Sequence, residues 1–486
     1  MAAAPLPAPE GPLVVGVDSS TQSTTVLVVD AATGQVMARG RAPHAVVGGG
    51  PGEDGRESDP EQWWQALCEA LDRCGPRVRE ASAVSVAGQQ HGLVTLGADG
   101  RPVRPALLWN DVRSAPQRDR LVAELGGPAA WAERIGSVPA PAFTATKWAW
   151  LRENEPEAAR ATAAVRLPHD YLTERLTGQG VTDRGDASGT GWWASAVEAY
   201  DDRVLEHIGL SPALLPRVLR HGEAAGTVRR LPGLALPAGA LVATGTGDNM
   251  AAALGLGLRP AQPVLSLGTS GTVYAVATRR PTDATGVVAG FADAREAWLP
   301  LACTLNCTLA VDRIAGLLGR DREAVEPGGT AVLLPYLDGE RTPHLPVAAG
   351  LLYGLRHGTT PGQVLQAAYD GATRTLLGAL DRVLGADADP AVPLLLIGGG
   401  ARGTAWRETV RRLSGRPVVV PDAGEPVALG AAAQAAGLLL GEDPAAVARR
   451  WGTADGPVHE AVERDEEALA RIGAVLAEAE GLLRHG

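Results

Sequence analysis

One layout occurs twice in this chain of 486 residues: an apolar run, a hydroxyl-rich turn, then a second run rich in β-branched residues. The first copy takes residues 13–17, the turn Asp18-Ser19-Ser20-Thr21-Gln22-Ser23, and residues 24–30. The second takes 264–267, the turn Gly268-Thr269-Ser270-Gly271, and 272–277. Short apolar runs bounded by turn residues predict buried strands. The repeat therefore predicts two related halves, each opening on a β-meander. Thr33-Gly34 marks the hairpin into a third strand over 35–41. The boundary is expected near 245, giving domains over 11–244 and 245–486. Further strands are expected at 84–86, 106–109, 394–397 and 417–420, and helices at 404–413 and 429–440. Strands alternating with helices predict an α/β fold. Asp59-Pro60-Glu61-Gln62 opens a helix, with Asp59 as N-cap, Pro60 in the first turn and Gln62 closing a capping box. Residues 48–55 read as a glycine-rich loop, 115–220 as mainly helical, and 463–483 as a helix docked on the surface.

Composition narrows the function classes. The net charge is -11, whereas a nucleic-acid partner needs a basic face. No apolar run reaches the roughly 18 residues of a membrane span. The opening MAAAPLPAPEGP lacks the basic region and apolar stretch of a signal peptide. Cys68, Cys74, Cys303 and Cys307 form no CxxC pair, so a zinc site is not expected. So few thiols suit a reducing cytoplasm.

Among 44 basic residues only Lys147 is a lysine. It is either an ammonium with a specific task, which a guanidinium could not perform, or a solvated helix charge. A P-loop needs Lys directly before Ser or Thr, and Trp148 follows here. A protein kinase needs a strand lysine and an HRD loop; neither is present. Phosphate chemistry would then rest on backbone amides, hydroxyls and a metal.

Several residues could carry such chemistry. Successive amides in the two hydroxyl-rich turns make anion-binding concavities, although ordinary hairpin turns have the same composition. Asp18 and Asp248 each follow or end an apolar run, beside Gly, Ser or Thr. Phosphoryl transfer to an alcohol needs a carboxylate near the hydroxyl and Mg2+ to spread the phosphate charge; either aspartate could instead cap its own turn. Gln89-Gln90-His91 and Trp109-Asn110-Asp111 each follow a strand and offer the amide, imidazole, carboxylate and indole that grip a polyol. Gly398-Gly399-Gly400-Ala401-Arg402-Gly403 fits GxGxxG, and Asp422 stands near the position of a Rossmann acidic residue. That leaves a nicotinamide dehydrogenase as a rival, although little chain follows for the rest of such a fold.

The same residues resemble the FGGY carbohydrate kinases over nearly the whole chain. Thr144-Ala145-Thr146-Lys147-Trp148-Ala149-Trp150-Leu151 resembles the first family signature, with Lys147 at its fixed lysine; Gly350-Leu351-Leu352-Tyr353-Gly354-Leu355 with Gln363 through Asp370 resembles the second. Asp59-Pro60-Glu61-Gln62-Trp63-Trp64, Gly88-Gln89-Gln90-His91-Gly92 and Leu108-Trp109-Asn110-Asp111 are similar to members that phosphorylate D-xylulose. The resemblance implies two actin-like, ribonuclease-H-like domains with an interdomain catalytic cleft, and transfer of the ATP γ-phosphate to the terminal hydroxyl of D-xylulose. It implies Asp248 as general base, Gln90 and His91 as sugar-binding residues, and Asp18 as the carboxylate near Mg-ATP and candidate Mg2+ ligand. Thr21, Gly268, Thr269, Gly399 and Gly400 would line the nucleotide, with Trp109, Asn110 and Asp111 beside the sugar. The nearest alternative is another member acting on ribulose, glycerol or gluconate. An actin-like ATPase serving as a scaffold would need neither the Trp109 cluster nor a base at 248. The expected partners are the sugar and, at most, a second copy in a homodimer. Ser20 stands where the first turn of relatives has Gly, which would strain the turn if it needs φ > 0.

Overall fold

The computed structural model describes residues 8–47 and 55–485. All but the last residue of the expected glycine-rich loop therefore lies outside the described residues. Two seven-stranded mixed sheets dominate the fold. In the first, Leu13–Ser19 pairs antiparallel with Ser23–Asp30, which pairs antiparallel with Val36–Pro43. On its other side Leu13–Ser19 runs parallel to Ala81–Gly88, which runs parallel to Leu241–Ala243. The second sheet repeats this: Pro263–Leu267, Gly271–Ala275 and Trp298–Thr304 form the meander. Leu394–Ile397 then lies parallel to Pro263–Leu267, and Val418–Val419 parallel to Leu394–Ile397. The repeat read from two turns is thus a repeat of whole-sheet topology, and the α/β expectation holds.

The strand Leu13–Ser19 is buried along its whole length, so its alternating faces enter two different cores. Leu13, Val15 and Val17 pack with Trp63, Leu67 and Leu71 of the helix Pro60–Arg73. Val14 faces the other way, against Ala428, Ala432 and Ala436 of the helix Pro426–Leu440. Burying each such aliphatic side chain stabilises by about 1.5–3 kcal/mol. Asp18 shares the face of Val14 and Gly16 and so projects toward the start of that helix.

Pro426–Leu440 belongs to the second half of the chain yet lies on the first sheet and crosses the helix Asp248–Gly255. Bare backbones allow the approach. A Cβ at Gly16 would overlap the Ala428 carbonyl, one at Gly255 the Pro426 carbonyl, and one at Gly430 the Ala251 carbonyl. Gly430→Val should therefore force the helices apart and destabilise by at least the 1–3 kcal/mol typical of overpacking. A thermal midpoint equal to the parent's would show that the crossing tolerates bulk.

Local readings departed in three places. Asp59 does cap its helix, accepting from the Glu61 amide at 2.9 Å, but Gln62 closes no capping box; its Oε1 accepts from the Ala45 amide. Ser20 is not among the residues at positive φ, so its turn carries no such strain, and its hydroxyl donates to Asp18 Oδ1 at 2.7 Å. The expected helical stretch after 115 is interrupted by short strands, among them Ala164–Arg166, Val181–Asp183 and Arg217–Leu219. The C-terminal helix Glu466–Glu478 docks as expected, through Ile472 and Val475 onto Val332 and Tyr336. Among the described residues no helix is long and apolar enough to cross a membrane.

Candidate active site

Register brings the first half's candidates to one sheet edge. Asp18 is level with Ala87 and Ser19 with Gly88; on the other side of that strand, Thr246 is level with Ala87 and Gly247 with Gly88. Three parallel strands thus end together, and their next residues are the Ser20–Thr21 turn, Gln89-Gln90-His91, and Asp248-Asn249. The Gln89 amide donates to the Ser19 carbonyl at 3.1 Å, which ties two of these turns.

Asp248 opens a helix and is half-buried. Its Oδ1 accepts from the Asn249 amide at 2.8 Å and from Asn249 Nδ2 at 2.9 Å. Asn249 Nδ2 also donates to Gln90 Oε1 at 2.8 Å, so one amide joins the candidate base to the candidate sugar residue. Burial pushes the Asp248 carboxyl up to about 7, and the charges of Asp18 and Asp186 push in the same direction. Burial also raises Asp18 to about 7; the Ser20 hydroxyl opposes this, while the charge of Glu425 adds to it. Neither carboxylate forms an ion pair among the described residues. Such uncompensated carboxylates near one another are what a divalent cation relieves.

His91 sits at φ 64, with Nδ1 at 2.7 Å from the Gly189 carbonyl. A carbonyl only accepts, so Nδ1 carries the proton and Nε2 keeps a lone pair. A Cβ at Gly189 would press on that ring, within 2.7 Å of Cε1. Burial first, then the charge of Lys147, pulls the imidazole down to about 3. It is therefore neutral at physiological pH. Its ring stacks on Phe143 at 5.0 Å between centroids, and Phe291 of the second half tilts against it at 5.6 Å. Tyr274 and Cys303, also of the second half, feel the charge of Asp248. Both halves therefore wall this site.

The Trp109 cluster divides. Trp109 is 38% exposed, and its Nε1 donates to Thr21 Oγ1 at 3.0 Å, tying it to the first turn. Asn110 Oδ1 is buried without a partner. Asp111 is 0% exposed, and Arg113 and the Arg56 amide meet both its oxygens. These contacts fix the loop that carries Trp109 and Asn110.

In the second sheet, Ser266 is level with Ile397, so the turns bearing Gly268 and Thr269 and bearing Gly399 and Gly400 emerge side by side. Thr269 and Gly399 are exposed, and a Cβ at Gly399 would meet nothing within 4 Å. Gly398, at φ 86, lies close against Leu267.

A buried cluster stands behind Asp248 and was not anticipated. His169 Nδ1 lies 2.7 Å from Asp186 Oδ2, and Nε2 lies 3.2 Å from Asp170 Oδ1 and 3.9 Å from Asp183 Oδ1. Thr246 Oγ1 donates to Asp183 Oδ2 at 2.7 Å, which connects the cluster to the strand preceding Asp248. The available signal was the presence of Asp170, Asp183 and Asp186 in the stretch that follows His169.

Comparison with known proteins identifies the family. The N-terminal domain of the FGGY family of carbohydrate kinases matches residues 13–255, and its C-terminal domain matches residues 264–438. The chain belongs to the FGGY family of carbohydrate kinases. This removes the dehydrogenase reading of the glycine motif at 398–403. A xylulose kinase of Streptomyces rubiginosus is 73% identical over 479 residues, 99% of each chain. One of Streptomyces coelicolor is 74% identical over 476 residues, 98% of each. Among solved structures, the xylulose kinase from Bifidobacterium adolescentis superposes with a TM-score of 0.84 at 36% identity, covering 95% of this chain and 99% of its own.

Proposed function

We propose that this FGGY kinase transfers the γ-phosphoryl group of Mg-ATP to the terminal hydroxyl of D-xylulose, giving xylulose 5-phosphate. The observation that carries the choice of sugar is the 73% identity, over 99% of both chains, to a protein named xylulose kinase. The site geometry supports the chemistry. Asp248, fixed through one oxygen by Asn249, can receive the hydroxyl proton through the other as the bond to phosphorus forms. It is a weak base toward an alcohol, so it mainly aligns the hydroxyl and takes the proton late. The lone pair of His91 Nε2 can accept from a second sugar hydroxyl, and the indole of Trp109 offers an apolar face.

Asp18 and the turns at Ser20–Thr21, Gly268–Thr269 and Gly399–Gly400 would hold the nucleotide. Mg2+, held at Asp18, would supply charge neutralisation at the phosphates. The domains are proposed to divide near 245, and the four free thiols suit a cytoplasmic enzyme.

A coupled ADP-release assay over pentuloses and polyols should give D-xylulose the highest kcat/KM. A clear preference for ribulose, glycerol or gluconate would leave only the family assignment.

A further inference from the structure

Lys147 is the chain's one lysine, and the chemistry above does not use it. It lies on the helix Thr144–Asn154 and is 0% exposed. Its Nζ donates to the His91 carbonyl at 2.9 Å and to the Ala142 carbonyl. No carboxylate pairs with it among the described residues. The Thr144 hydroxyl donates to the same His91 carbonyl at 3.3 Å, and Phe143, at the head of this helix, stacks on the His91 ring. One helix end therefore grips His91 by its backbone and its ring together. His91 needs that grip, because a non-glycine residue at φ 64 sits in a sparsely populated region that its surroundings must enforce.

We infer that Lys147 is a positioning residue of the sugar site, its Nζ holding the His91 backbone in the left-handed conformation that aims the imidazole at the acceptor. A slender stem ending in a compact donor fits between two carbonyls in a closed space; a planar guanidinium is wider and presents its donors in a fixed fork. That accounts for a lysine persisting in a chain that otherwise uses arginine. Burial, before any charge, keeps the imidazole neutral; burial also pulls Lys147 down to about 7, with the charge of Asp111 opposing, and an amine in either protonation state has the N–H groups to serve both carbonyls. The inference rests on the proposed placing of His91 against the sugar.

Lys147→Met keeps the length and removes the donors. Its KM for D-xylulose should rise about tenfold or more, with the KM for Mg-ATP unchanged and kcat altered less than about threefold. Parallel losses in kcat and in both KM values, or no change in any, would overturn the inference. If that variant does not fold, Thr144→Val reads the same contact: a two- to fivefold rise in xylulose KM alone is expected (about the loss of one modest hydrogen bond), and an unchanged KM overturns it. A third readout uses the parent protein. With [13C]lysine labelling, the single side chain gives one Cε resonance, which should shift on adding whichever sugar the parent phosphorylates. A resonance blind to that sugar overturns the positioning role. A parent that phosphorylates a different polyol instead overturns only the choice of substrate.

Discussion

Asp248→Asn is expected to lose on the order of 10²–10⁴ in kcat, the usual contribution of a general base, while binding of D-xylulose and Mg-ATP stays within about tenfold, or about 1.4 kcal/mol. Asparagine preserves size and can still meet Asn249, so the loss isolates the charge and the proton acceptor. Asp18→Asn should behave differently: a lesion at the proposed metal site weakens use of Mg-ATP and responds to added Mg2+. The pH profile gives a second readout. A carboxylate held at about 7 is protonated below that pH, so kcat/KM for xylulose should fall on the acid side with an apparent pKa near 7. Without metal, Asp18 is raised to the same range and its charge raises Asp248; Mg2+ at Asp18 would lower both, so the acid limb should move to lower pH as Mg2+ is raised. Near-normal kcat in Asp248→Asn would place the base elsewhere.

What could be read from the chain depended on how local the signal was. The strand Leu13–Ser19 was legible because an unbroken apolar run between turns has few other fates. Ala81–Gly88 was read only at its valine core, since Ala and Ser carry little β signal. The helix Pro426–Leu440 was legible as a helix, but its place between the halves was not. Its one polar side chain after Val427 is Gln434, and an all-round apolar helix says buried without saying against what. The turn residues Asp18, His91 and Asp248 were named individually. Their meeting at one edge follows from parallel pairing between strands more than 60 residues apart in the chain, which no local pattern encodes. Asn249 was passed over because an amide beside a candidate base reads as turn chemistry until Gln90 is found opposite. The same limit applies to Lys147, whose uniqueness was visible while its two carbonyl partners were not.

The cluster around His169 carries the largest expected effect on stability. Its imidazole is fully enclosed, yet it is held up at about 9: burial alone would lower it, and the charges of Asp170, Asp186 and Asp183 outweigh burial. Burial in turn raises Asp170 to about 7 and Asp183 to about 6, with His169 opposing both. One cation thus serves three acids out of contact with water. His169→Gln leaves those acids without it, and breaking a buried ion pair by removing one partner costs about 3–5 kcal/mol. The linkage has a definite sign. A histidine raised from 6.5 to about 9 contributes stability that is complete below pH 6.5 and is lost as pH rises through 9. Asp170, raised above 3.8, adds a penalty that grows as pH climbs toward 7. The parent should therefore lose stability steadily on the alkaline side, and His169→Gln should flatten that slope above pH 7. Asp170→Asn in the His169→Gln background should recover part of the loss, because it removes one of the acids left uncompensated. Thermal unfolding across pH 6 to 10 measures all three. A His169→Gln variant within about 0.5 kcal/mol of the parent, with an unchanged alkaline slope, would mean that the imidazole is neutral and that the acids keep the shared protons.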